Sequence, residues 1–256
     1  MWPPRQDRFV LKALEETNPR VVVVELNAPL SLSSNFRSAE TLRAITPETI
    51  KTSINTKLES SGSMLGKARF VASFAAAAAY KYLGIGLMRT EFFEYDSKAV
   101  ESTMRRVDLA KAGFLSLDRE QEFCSDFSQR AKPSLEGLAG RRDQNVKKYV
   151  DMKASVSSTL LVKCRRLIDR GEKQQCQVVF VLSPRLVSPQ LEIVYPVFEQ
   201  LPSANKIDMS DPKKYPEFYD LAYSFDPGHL NEKGAVIFTK AFGVEVTKLF
   251  NQRAGR

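Results

Sequence analysis

Two short apolar runs, each uninterrupted by polar residues, most constrain how this chain can fold. Val21 to Val24 are four consecutive valines, and Val178-Val179-Phe180-Val181 forms the centre of a second run from Gln177 to Leu182. A strand with one face in water alternates apolar and polar residues, whereas a strand of a parallel sheet is covered on both faces and does not alternate. We therefore predict that both runs are strands of a parallel sheet, buried on both faces.

Polar residues follow each run directly. Glu25-Leu26-Asn27-Ala28-Pro29 comes after the valines, and Ser183-Pro184-Arg185 comes after Leu182. Ligands of open α/β sheets bind at the carboxyl ends of the strands. Ser183 and Arg185 are therefore predicted at the rim of a binding site.

Helical periodicity surrounds the two runs and predicts an alternation of helices and strands typical of a parallel sheet. The predicted elements are a helix through Phe9, Val10, Ala13 and Leu14, a helix from Tyr149 to near Gly171, a short helix from Val194 to Glu199, a third strand from Lys206 to Met209, and a last helix that Asn231 caps.

We predict one α/β domain over residues 1–256, interrupted by a mainly helical insertion at about residues 33–143 whose role the sequence does not indicate. Helices are predicted from Lys67 to Leu83 and from Glu101 to Ala112, and a turn region from Leu135 to Gly140. The most membrane-like segment, Phe70 to Met88, contains Lys81 and owes its hydrophobicity to alanine. It is predicted to be a packed helix rather than a membrane span.

Charge and cysteine content exclude several function classes. The net charge of +8 comes from basic and acidic residues that are mixed along the chain, so we expect a solvated surface and no nucleic-acid partner. Three cysteines and one histidine are too few for a disulfide framework or a metal site, and Cys164 and Cys176 are predicted core residues. No secretory signal opens the sequence. No metal and no organic cofactor are implied.

The only histidine, His229, follows Asp226 across Pro227-Gly228. This turn can bring the Asp226 carboxylate to one ring nitrogen and leave the other nitrogen free to accept a proton from a hydroxyl nucleophile. An aspartate that caps the following helix, beside an incidental histidine, fits the same pattern.

The run Asp226-Pro227-Gly228-His229-Leu230-Asn231-Glu232-Lys233-Gly234-Ala235 resembles the SGNH (GDSL-like) hydrolase superfamily. It is especially similar to an extracytoplasmic branch linked to O-acylation of polysaccharides and cell-wall polymers. The resemblance implies a three-layer, flavodoxin-like parallel sheet with Asp226 and His229 as acid and base of a Ser-His-Asp triad. It also implies an extracytoplasmic or membrane-associated protein, with any membrane anchor in a preceding segment.

Two features depart from that family. Its Gly-x-Asn-Asp pattern after the central strand is reduced here to Asn27, which would be the oxyanion donor or merely cap a turn. Its Gly-Asp-Ser signature, which carries the nucleophile, occurs nowhere in the sequence. The cluster Ser60-Ser61-Gly62-Ser63 follows no buried strand.

Two explanations for the absent serine remain. The sequence is an N-terminally incomplete form, or it is a protein that lost catalysis and kept a carbohydrate- or polymer-binding cleft. We favour the first, because a buried sheet that loses strands exposes an aggregation-prone edge. The predicted function is that of an esterase or O-acyltransferase acting on acyl esters of carbohydrates, and the 256 residues as printed are expected to be inactive.

Overall fold

The computed structural model describes residues 6–26, 46–60, 63–82, 135–151 and 155–254. Its strands are β1 (Val21–Glu25), β2 (Gln177–Leu182) and β3 (Lys206–Asp208), which form a parallel sheet in the order β1-β2-β3. Val21 pairs with Gln177, and Phe180 pairs with Lys206. The three predicted strands are confirmed.

The helices of the described ranges alternate with these strands. They are α1 (Gln6–Thr17), α2 (Pro47–Glu59), α3 (Met64–Tyr82), α4 (Leu135–Asp151), α5 (Ser158–Lys173), α6 (Ser188–Glu199) and α7 (Glu232–Ala254), with short 3₁₀ segments at Ser203–Asn205, Pro216–Tyr219 and Leu221–Tyr223. The molecule is therefore a mixed α/β protein with a small open parallel sheet.

Helices cover both faces of the sheet. On one face, α1, α5 and α6 pack against the strands around Phe180, and Cys164 and Cys176 lie in this core as predicted. On the other face, α7 packs through Phe238 and its neighbours against Val179, together with the Pro216–Tyr219 segment. The apolar side chains that the two cores bury explain why the strands carry no polar alternation.

The valine run is less buried than the sequence predicts. All six residues of β2 are buried, but in β1 only Val24 is, and Val23 is 43% exposed. Among the described strands β2 is central and β1 is at the edge, and the expectation that β1 is buried on both faces is wrong. A central strand has neighbours on both sides, whereas an edge strand gains burial only from the helices above and below it.

The predicted helix from Tyr149 to Gly171 is two helices. The first, α4, ends at Asp151, and α5 begins at Ser158, where the Ser157 hydroxyl accepts a hydrogen bond from the Leu160 amide at 3.3 Å. Serine hydroxyls compete with helical hydrogen bonds and favour such caps, which the apolar spacing alone does not reveal.

The predicted turn from Leu135 to Gly140 is the first part of α4. Glycine lowers helix propensity by about 1 kcal/mol relative to alanine, but packing overrides this preference. Leu138 is only 2% exposed, and its burial holds the glycine-containing turns of the helix in place.

The middle of the chain contributes α2 and α3, which pack against each other and confirm the helix predicted from Lys67. The helix predicted from Glu101 lies outside the described residues. Within the described ranges, every helix is too short or too polar to cross a membrane.

The last residue of α2, Glu59, joins α2 to the start of α5. Its carboxylate accepts hydrogen bonds from the hydroxyls of Ser157 (2.7 Å), Ser158 (2.9 Å) and Thr159 (2.8 Å) and from the Thr159 amide (3.1 Å). Partial burial raises the pKa of Glu59, but these hydrogen bonds outweigh it and hold the pKa below its ordinary value. The negative charge also lies at the positive end of the α5 dipole.

Candidate functional site

The Asp226–His229 turn joins the last 3₁₀ segment to α7. Ser224 and Leu230 form an antiparallel bridge at its base, and the Phe225 amide donates to the His229 carbonyl at 3.0 Å. Within the turn, Asp226 Oδ1 accepts hydrogen bonds from the amides of Gly228 (2.6 Å) and His229 (2.7 Å). The short Asp side chain thus closes the turn on itself, as such side chains commonly do.

The same carboxylate faces the imidazole. Nδ1 of His229 lies 2.9 Å from Asp226 Oδ1 and 2.8 Å from Oδ2. Partial burial raises the pKa of the Asp226 carboxyl, but hydrogen bonds from the His229 side chain and from the Gly228 and His229 amides more than offset it, so the pKa lies below its usual range. An ionised Asp226 holds the proton of a neutral imidazole on Nδ1 and leaves the Nε2 lone pair free.

The imidazole is accessible, and the carboxylate is less so. The His229 side chain is 64% exposed and the Asp226 side chain 22%. Among the described residues, no side chain binds Nε2. The arrangement can therefore accept a proton at Nε2 from a bound hydroxyl group and stabilise the resulting imidazolium through Asp226.

The alternative role for Asp226, as the cap of the last helix, does not fit the hydrogen bonds. Asn231 occupies that position, because its Oδ1 accepts the Gly234 amide at 2.9 Å and its carbonyl accepts the Ala235 amide. The predicted cap of α7 by Asn231 is confirmed, and the described hydrogen bonds of the Asp226 carboxylate go to its own turn and to the imidazole.

Arg185 ties this turn to the sheet. Its backbone follows β2 by three residues, and its guanidinium donates to the carbonyls of Asp226 (3.0 Å) and His229 (2.7 Å). Asp226 and His229 therefore lie at the edge of the sheet where β2 ends. Arg185 was predicted at the site rim but is only 3% exposed, so it acts from beneath the turn. Burial lowers its pKa to about 10, at which the guanidinium keeps its charge near neutral pH.

Ser183 lies at the same edge but is engaged elsewhere. Its hydroxyl donates to the carboxylate of Glu25, the last residue of β1, and so joins the ends of the two strands. It makes no hydrogen bond with His229. Asn27, the predicted oxyanion donor, lies outside the described residues.

Helix α4 lies against the loop that follows β2, a contact that was not predicted from the sequence. Arg141 Nη1 approaches the Arg185 carbonyl at 3.4 Å, and the buried Asn145 amide donates to the Leu186 carbonyl at 3.0 Å. The two residues are four apart and share one face of the helix. The sequence signal for this contact is that four-residue spacing, which is informative only in a helix that includes residues 135–140.

The described residues contain no group of three or more His, Cys, Asp or Glu side chains arranged to hold a metal ion. Neither a family model, nor a curated protein, nor a solved structure matches this chain.

Proposed function

We propose that the protein is an SGNH-type esterase or O-acyltransferase in which His229 is the general base and Asp226 orients it. The observation that carries the proposal is the pairing of Nδ1 with an ionised, partly buried carboxylate beside an exposed Nε2. A parallel sheet with helices on both faces, and a base just before the last helix, agree with that fold.

In the first half-reaction, Nε2 accepts the proton of a hydroxyl nucleophile as its oxygen attacks the ester carbonyl. Asp226 stabilises the imidazolium, which then protonates the departing alkoxide as the acyl–enzyme forms. In the second half-reaction, water or a sugar hydroxyl gives its proton to Nε2 and attacks the acyl carbonyl; the bond to the nucleophile's oxygen then breaks, and the imidazolium returns the proton to that oxygen. Water makes the enzyme an esterase, and a sugar hydroxyl makes it an acyltransferase.

No described serine is assigned as the nucleophile. The Ser183 hydroxyl donates to Glu25, and Gly-Asp-Ser is absent from the sequence. The substrate class, an acyl ester of a carbohydrate, is proposed from the resemblance of residues 226–235 to the polysaccharide-acylating branch.

The test compares the 256-residue chain with the product of its complete reading frame, using p-nitrophenyl acetate, acetylated xylan and a fluorophosphonate serine probe. We expect negligible turnover from the 256 residues. If the complete product is active, His229→Ala should lower kcat/KM by several orders of magnitude and Asp226→Asn by nearly as much. Asn27→Ala should cost about a hundredfold. Lys240→Ala, at an exposed position of α7, is the control that keeps activity.

Activity of the complete product that survives His229→Ala would contradict the mechanism, because the mechanism assigns the general base to His229. Turnover by the 256-residue chain that is lost on Ser183→Ala would identify Ser183 as the nucleophile instead.

A second candidate is a binding protein without catalysis, which the absence of Gly-Asp-Ser favours. It predicts that acetylated xylan binds with a measurable heat of association. It also predicts that neither the 256-residue chain nor the product of the complete reading frame hydrolyses p-nitrophenyl acetate or acetylated xylan, and that neither reacts with the fluorophosphonate. Esterase activity that depends on His229 would exclude it.

A further inference from the structure

We propose that Arg185 is the positioning residue of the His229 base. Its guanidinium holds the two backbone carbonyls that bracket the turn, and so fixes the geometry between the Asp226 carboxylate and Nδ1 of His229. The catalytic consequence rests on the proposed function, whereas the geometric claim does not.

The guanidinium joins segments that are far apart in the chain. Nε donates to the Phe218 carbonyl at 2.5 Å, Nη1 to the Asp226 and His229 carbonyls, and Nη2 to the Ser224 hydroxyl at 2.6 Å. The contacts lie on both sides of the Pro227-Gly228 turn, so the turn cannot shift as a unit without breaking several charge-assisted hydrogen bonds.

These contacts need arginine in particular. The guanidinium is planar and presents five N–H donors in a fixed fork, whereas the lysine ammonium is a compact charge with three donors on a flexible stem. A buried cation is costly unless its donors are satisfied. With four acceptors around it, Arg185 meets this condition, and a lysine would leave several carbonyls without their partner.

The backbone of Arg185 is also held in an uncommon conformation. Its φ is +64°, in the left-handed region that non-glycine residues rarely adopt. The amide donates to the Tyr219 hydroxyl at 3.3 Å, and this hydroxyl donates to the Ser210 carbonyl at 2.7 Å. Such strain persists where surrounding contacts over-determine the conformation, and here it directs the side chain under the turn.

Helix α4 contacts the same loop, since Arg141 donates to the Arg185 carbonyl and Asn145 donates to the Leu186 carbonyl. The loop after β2 is thus held by hydrogen bonds from α4, and through Arg185 it holds the Asp226–His229 turn.

The experiment uses the single histidine as a reporter. In ¹⁵N-labelled protein with a neutral imidazole, Nδ1 should carry the proton and Nε2 should not (the Nδ1–H pattern), and a separate hydrogen-exchange measurement should show slow exchange of the Gly228 and His229 amides. Arg185→Lys is expected to abolish the Nδ1–H pattern and speed exchange of both amides about tenfold or more, because several hydrogen bonds are lost. The matched control is Arg170→Lys, which alters an exposed arginine paired with Glu15 and should change neither signal.

A folded Arg185→Lys protein that keeps the Nδ1–H pattern and slow exchange would overturn the inference, since a merely structural arginine would lower only the melting temperature. If that variant does not fold, Ser224→Ala removes a single acceptor of the guanidinium. Faster exchange of the two amides would then support the inference, and unchanged exchange would contradict it. Loss of the pattern in a protein without esterase activity would leave Arg185 as the positioning residue and refute only the proposed function.

Discussion

Substitution of Gly234 tests how closely α7 packs against the residues on either side of the His229 turn. It lies in the first turn of α7, where a Cβ would approach the Tyr223 carbonyl oxygen to 2.3 Å and two atoms of Leu230 to 3.1 Å. Gly243, on the same helix, has nothing within 4 Å of such a Cβ. Gly234→Ala and Gly243→Ala are therefore the same chemical change in opposite surroundings.

The expected effects have opposite signs. Alanine in a helix interior is favoured over glycine by about 1 kcal/mol, so Gly243→Ala should raise the free energy of unfolding by about 0.5 to 1 kcal/mol. At Gly234 the same gain is opposed by overpacking, which costs about 1 to 3 kcal/mol or more. The Tyr223 carbonyl cannot retreat freely, because it accepts the Asn231 amide at 3.1 Å. Gly234→Ala should therefore lower the free energy of unfolding by about 1 to 2 kcal/mol.

Urea denaturation followed by circular dichroism measures both variants under identical conditions. Because the displaced carbonyl lies next to the Ser224–Leu230 bridge, Gly234→Ala should also speed amide exchange at His229. A Gly234→Ala protein as stable as the parent, or stabilised to the same extent as Gly243→Ala, would show that α7 is not packed as described.

Further expectations concern the α2–α5 contact and a buried thiol. Glu59→Gln should lower the free energy of unfolding at pH 7 by about 1 to 2 kcal/mol, since the amide keeps only one acceptor oxygen, whereas Glu172→Gln at an exposed position of α5 should have little effect. Because folding lowers the pKa of Glu59, its stabilisation is complete above the ordinary glutamate pKa and disappears as pH falls through the lowered value. Urea denaturation at pH 7 and pH 3 should show that the difference in the free energy of unfolding between the parent and Glu59→Gln is smaller at the lower pH. Burial raises the pKa of Cys164 to about 12, so peptide mapping should find it alkylated by iodoacetamide only after unfolding.

Local chemistry could be predicted from the sequence alone. The bounds of β2 follow from an apolar run between polar residues, and the cap of α7 follows from the type and position of Asn231. The meeting of Asp226 and His229 is likewise local, because Pro227-Gly228 restricts the turn and only two residues separate the partners. Each of these features depends on interactions within a few residues of the chain.

Tertiary structure decided what distant residues do to each other. Arg185 was expected at an exposed rim, but acceptors 33 to 44 residues away draw its guanidinium beneath the turn. Glu59 finds its partners about 100 residues later in the chain, and Val23 is exposed because β1 lies at the edge of the described sheet. A residue's type fixes which hydrogen bonds it can make and what burial costs it. Which groups come within reach depends on how the whole chain packs, and local periodicity carries no information about that.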